Sequence, residues 1–155
     1  MLFTFDNKED VNKILLNQLW NFDKYLVVMQ RYDKDSSLQE LCFDKASFWA
    51  QLHDIPPRYM TMEAAVKISE VIREVTRPTD AKEVDGGNFL HVKVAIDYSL
   101  PLCHGRLIKL ENDKQIWVCF KYERLPNLCY WCGHLTYAEK DCELWIESEG
   151  TFRPE

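Results

Sequence analysis

The sequence predicts an α+β fold, a sheet with helices on one face, followed by a small metal-dependent appendage. Three observations carry this. Segments with strand patterning and segments with helical patterning follow one another without long parallel strand–helix–strand runs, which favours segregated α+β layers. The clearest strand segment alternates apolar and polar residues, so it has one wet face. Near the end of the chain, Cys129, Cys132 and Cys142 stand at C-x2-C-x9-C, in a stretch too short to own a core. At 155 residues and 46% hydrophobic, the chain is long enough for one compact core plus that appendage.

The elements are justified in order. Leu2, Phe3 and Phe5 open a short strand. Asp6 followed by Glu9 has the form of a capping box, and Val11, Ile14, Leu15 and Leu16 recur behind it at helical spacing. Residues 24–32 are rich in β-formers, so residues 1–32 read strand, helix, strand. The polar stretch Asp33 to Glu40 is the linker candidate. A second unit, 47–124, opens on a strand over 47–53 with Phe48, Ala50 and Leu52 on one face and Trp49 and Gln51 on the other; Ile55-Pro-Pro breaks it. Thr61 N-caps a helix whose stripe is Ala65, Ile68, Val71, Ile72 and Val75. Arg77-Pro78 ends that pattern, and Asp85-Gly-Gly-Asn88 marks a loose turn. In the strand over 89–97, Leu90, Val92, Val94 and Ile96 alternate with His91, Lys93 and Asp97. Residues 106–110 and 115–122 form a hairpin around the turn 111–114. Leu125-Pro-Asn-Leu then hands the chain to a third unit, 125–147. Trp20, Trp49 and Trp117 are expected in the core, as are the thiols Cys42, Cys103 and Cys119.

The cysteine spacing is that of a zinc knuckle, C-x2-C-x4-H-x4-C, with Tyr137 in the histidine slot. A tight C-x2-C turn sets two thiolates on one side of a metal, and Zn2+ takes four tetrahedral N or S ligands. Phenol is a poor zinc ligand, whereas neutral imidazole is the commonest one. One Zn2+ is therefore expected on Cys129, Cys132 and Cys142, with three readings of the fourth position. It is His134, a water or distant residue such as Cys119 or His104, or the loop holds no zinc.

Net charge is −6, which is awkward for phosphate binding, a process driven by Lys and Arg. Locally the hairpin is mildly basic: Arg106, Lys109, Lys114, Lys121 and Arg124 stand against Glu111, Asp113 and Glu123. Any nucleic-acid binding is expected to be weak and salt-sensitive. No apolar run approaches the roughly 18–20 residues that span a bilayer, and the first ten residues do not form a signal peptide. An intracellular chain, in nucleus or cytoplasm, with reduced thiols is expected. No Ser/His/Asp or Cys/His set has a motif context, and three cysteines in a short loop describe a structural zinc site, so the chain is expected not to be an enzyme.

The phrases Leu-Phe-Thr-Phe-Asp (2–6), Leu-Trp-Asn-Phe-Asp-Lys-Tyr-Leu-Val-Val (19–28), Phe-Trp-Ala-Gln-Leu-His-Asp-Ile-Pro (48–56) and Phe-Lys-Tyr-Glu-Arg-Leu-Pro-Asn-Leu-Cys-Tyr-Trp-Cys-Gly-His (120–134) follow one another in this chain. Together they resemble a plant domain-of-unknown-function family that precedes a CCHC-type zinc knuckle in LINE-type (non-LTR) retrotransposon proteins. The resemblance implies an RNA-recognition-motif-like N-terminal domain that is truncated here, because residues 1–32 would begin at its third strand. It also implies RNA or single-stranded DNA as partner, with Tyr130 as a base-contacting aromatic. Trp131 is a second candidate ring, and Lys109, Lys114, Lys121 and Arg124 are candidate phosphate contacts. The rival reading is an inert remnant that self-associates through an incomplete sheet.

Overall fold

The computed structural model describes residues 1–17, 20–32, 35, 37–72, 74–76, 87–149 and 151. Asn7 caps helix α1 (Lys8–Leu16): its side chain accepts from the Glu9 amide at 2.8 Å, and Glu9 and Asp10 occupy the first turn, where the helix dipole favours them. The cap is thus Asn7 rather than Asp6. Two three-residue strands, β1 (Trp20–Phe22) and β2 (Tyr25–Val27), form a hairpin turned by Asp23 and Lys24, both at positive φ. Residues 1–5 form no strand, and Leu2, Phe3 and Phe5 are exposed. The first unit therefore runs helix, strand, strand, because an extended segment becomes a strand only where a ladder accepts its backbone groups. Of the predicted linker, Ser37 caps a single 3-10 turn, Leu38–Glu40, while residues 33, 34 and 36 lie outside the described residues.

The central sheet is antiparallel and five-stranded. Its members are β3 (Lys45–His53), β4 (Glu74–Thr76), β5 (Leu90–Asp97), β6 (Gly105–Lys109) and β7 (Gln115–Tyr122), in the order β4-β5-β3-β7-β6. The register Phe48↔Val94, Ala50↔Val92 and Leu52↔Leu90 brings the apolar positions of β3 and β5 to one face, and Leu52↔Phe120 adds β7. Helix α2 (Met62–Ser69) covers that face with Ala65 and Ile68, and the 3-10 turn Glu70–Ile72 adds Ile72. Thr61 caps α2, its hydroxyl accepting from the Ala64 amide at 3.1 Å. Each large side chain buried here contributes roughly 1.5–3 kcal/mol.

Helix α2 is shorter than its apolar stripe. Val71 is exposed, and Val75 enters β4 opposite Val94, where the free edge of β5 takes up its backbone groups. Arg77-Pro78 and the first half of the turn at 85–88 lie outside the described residues.

The three tryptophans depart from expectation. Trp20 and Trp117 are exposed and Trp49 is half-buried, on the sheet face opposite α2. Strand parity outweighs ring size here, since Trp49 and Trp117 alternate with the buried Phe48 and Val118. Cys42 is exposed, and Cys103 and Cys119 are half-buried rather than core thiols. No described helix is long and apolar enough to cross a membrane.

Candidate metal centre

The centre grows from the end of β7. After the turn at Glu123 and Arg124, Leu128 and Leu135 pair across a single antiparallel bridge, and between them the chain makes its C-x2-C turn. The Gly133 amide donates to the Cys129 carbonyl at 2.8 Å, and the Cys129 amide to the His134 carbonyl at 2.9 Å. Gly133 takes φ +78°, a left-handed conformation that costs glycine little and a side chain more. A 3-10 turn, Glu139–Asp141, then delivers Cys142 to the same point, and the short helix α3 (Glu143–Glu147) leaves from it. Glu139 closes the ring, its Oε1 accepting from the Tyr130 amide at 3.1 Å.

This turn is anchored to the body more firmly than its length implies. Leu135 is 1% exposed and belongs to the core that the sheet and α2 build. The Leu102 amide donates to the Gly133 carbonyl at 2.8 Å, and the Asn127 amide to the Lys24 carbonyl at 3.0 Å. Nothing in the cysteine spacing announces those contacts.

The sulfurs of Cys129, Cys132 and Cys142 lie within 4.8 Å of one another, with Cys129 and Cys142 buried. Ligands at about 2.3 Å from a tetrahedral zinc stand roughly 3.8 Å apart, so three thiols gathered this closely fit that ion. His134 and Tyr137 both flank the set. The Tyr137 hydroxyl lies 3.1 Å from the Cys132 sulfur, and the His134 ring stacks near Tyr137 with centroids 6.4 Å apart. The His134 Nδ1 is buried without a hydrogen-bond partner. Cys119, His104 and His134 are not in the cluster, which among the described residues comprises the three cysteines.

Electrostatics divides the thiols. Burial alone would raise the Cys132 thiol, but bonds from the Tyr137 hydroxyl, the His134 backbone and neighbouring side chains outweigh it and pull the value down to about 6. Burial pushes the Cys129 thiol up. Tyr137 is raised in turn, chiefly because its hydroxyl is held by the Cys132 sulfur, so it stays a neutral donor. The Cys132 sulfur is thus biased toward thiolate and the Cys129 sulfur toward thiol.

The other predicted residues are scattered. Tyr130 projects from the turn at 82% exposure, while Trp131 beside it is half-buried. Lys109 pairs with Asp113 at 2.6 Å, and Lys114 is exposed in the same hairpin turn. Lys121 stands on the face of β7 away from α2, and Arg124 is exposed in the following turn, its carbonyl accepting from Asn21. The two ends of β7 are roughly 20 Å apart at strand rise, so these four cations do not form one patch. The sequence reading passed over Tyr137 as a donor to Cys132, and the i, i+5 spacing across the turn was the signal for it.

No curated protein and no solved structure matches the chain. Residues 96–144, which run from the end of β5 through the three cysteines, match the family model of a CCHC-type zinc knuckle.

Proposed function

We propose that the chain is a zinc-dependent module that binds RNA or single-stranded DNA through its knuckle, with an origin in LINE-type retrotransposon proteins of plants and a place in the nucleus or cytoplasm. The observation that carries this is the convergence of three thiols in the turn from which the exposed Tyr130 projects. Zinc would supply a tetrahedral centre that fixes the loop, held by Cys129, Cys132, Cys142 and His134. Tyr130 offers its face to an unpaired base, a contact of roughly 1–3 kcal/mol. Arg124 holds the backbone on the knuckle side, and Trp131 supports the turn. With net charge −6 the complex is weak and falls steeply with salt. The reading is of a binding module, not of an enzyme.

The test is native mass spectrometry followed by oligonucleotide titration at two salt concentrations. One zinc per chain, and affinity for single strands reduced by Tyr130→Ala, are expected. Full affinity in a zinc-free Cys129→Ser chain would contradict the reading. A second reading has its own observation: Leu2, Phe3, Phe5, Phe22 and Tyr25 are exposed together in the N-terminal unit, a composition suited to self-association. Sedimentation showing concentration-dependent dimers with no oligonucleotide shift would favour it.

A further inference from the structure

We propose that the solvent face of the five-stranded sheet is a second stacking surface for single-stranded nucleic acid, with Trp117 at one end and Lys121 and Lys93 receiving phosphates. This rests on the nucleic-acid reading above and gives that ligand a surface apart from the knuckle.

The first support is how Trp117 is held. It stands on the face of β7 away from α2, directly opposite Leu107 of β6. Its indole lies across Gly105: a Cβ built on that glycine would come within 2.6 Å of the ring atoms Cε2 and Cζ2. The missing side chain lets the ring settle against the backbone of β6, and Trp117 remains 55% exposed. A flat indole with one face on the sheet and one toward water is the geometry that base stacking uses.

The second support is a track of rings across the neighbouring strands. Cys119, two residues past Trp117 on the same face, pairs with His53 of β3. His53 meets Phe89 with centroids 5.0 Å apart, Phe89 meets His91 edge-on at 6.2 Å, and His91 stacks on Trp49 at 4.3 Å. Burial and the nearby charge of Lys121 hold His53 below the usual imidazole range, which keeps that ring neutral.

Charge selects the occupant. Lys121 is paired across the ladder with Gln51, and Lys93 with Trp49, so both cations stand among the rings. Among the described residues neither forms an ion pair. The carboxylates on this face are engaged: Glu123 accepts from Gln51 at 2.8 Å and lies 3.1 Å from His91 Nε2 without hydrogen-bond geometry. Asp97, at the far end of β5, accepts from the Ser99 amide at 3.0 Å. Glu74, on the same face, is taken up by Lys45 at 2.6 Å. Rings interleaved with two lysines that form no ion pair among the described residues suit a polyanion with exposed bases. A duplex hides those base faces, so the occupant is a single strand.

The test is fluorescence anisotropy of labelled oligouridylate and oligothymidylate against the zinc-loaded full chain. Three variants are compared: Trp117→Ala, the pair Lys93→Gln with Lys121→Gln, and Tyr130→Ala. Thermal unfolding of each checks the fold, and the lysine pair, being polar surface exchanges, keeps the test decisive should Trp117→Ala unfold. We expect Trp117→Ala to weaken binding roughly 5- to 100-fold. The lysine pair should reduce the slope of log affinity against log salt by about 1.4. Sheet variants that bind like the parent while Tyr130→Ala is weakened would overturn this proposal and leave the knuckle reading intact. Weakened sheet variants with Tyr130→Ala unchanged would uphold it and remove the knuckle as the binding site. No binding by the parent chain would end both.

Discussion

The sheet body and the knuckle reach a fixed structure by opposite means. In the body Phe48, Ala50, Leu52, Val92, Val94 and Val118 are fully withdrawn from water, and apolar burial alone offsets the entropy of ordering the strands. The knuckle buries little besides Leu135 and two thiols, and α3 buries no residue. What gathers its loop is a backbone bridge, a few hydrogen bonds and three thiols placed as zinc ligands. The comparison teaches that one chain can hold a scaffold built on apolar burial and a tip built on ligand chemistry, joined through Leu135, the partly buried Leu125 and Leu128, and a few backbone bonds.

The largest expected effect would break that comparison most directly. Structural zinc on thiolates contributes apparent free energies of about 10–16 kcal/mol, all of which Cys129→Ser or a chelator should forfeit. Zinc should vanish from the native mass spectrum. Amide exchange over 128–142 should then lose protection while β3 and β5 keep theirs. Exchange rising equally in the sheet would show that the two regions are one cooperative unit. Next in size is Phe48→Ala, which opens a cavity at the centre of β3 and should lower stability in denaturant titration by about 3–5 kcal/mol. Its zinc content should stay at the parent's level, and a loss of zinc would mean that Leu135 transmits core damage to the site.

The same contrast explains what the sequence made legible. Strands β3 and β5 could be read residue by residue because a half-buried strand writes its parity in alternating polarity. β7 could not, since Ile116-Trp-Val-Cys-Phe120 is apolar throughout and hides which face is wet. Trp117 therefore reads as a core residue, yet it lies on the surface. Val75 looked helical by spacing, but a tertiary ladder on β5 claimed it, and local pattern carries no trace of such a partner. The N-terminal strand failed for the converse reason, an apolar segment with no ladder to join among the described residues. In the knuckle, ligand spacing is a local property, so the thiol cluster was legible. The anchoring of Leu135 and the hydroxyl bond of Tyr137 are three-dimensional and were not.

That hydroxyl sets the smallest and sharpest prediction. Cys132 has its thiol drawn from an ordinary value of 9.0 to about 6, with the Tyr137 hydroxyl the foremost of the interactions that lower it against burial. The sign follows directly. A group whose folded value is depressed favours the folded loop fully above its ordinary value, and that contribution fades as pH falls from about 9 through about 6. In the reduced, metal-free chain, alkylation of Cys132 by iodoacetamide should be half-maximal near pH 6 in the fraction that keeps the folded loop, because only thiolate reacts, whereas opened loops should react with the ordinary thiol midpoint. Tyr137→Phe removes the donor and leaves the ring, so the midpoint should move upward toward the ordinary thiol range while the sheet's melting is unchanged. Cys129, raised by burial, should remain slow in both chains. An unmoved midpoint would mean that the backbone of the C-x2-C turn, rather than the tyrosine in the histidine slot, poises the sulfur for metal.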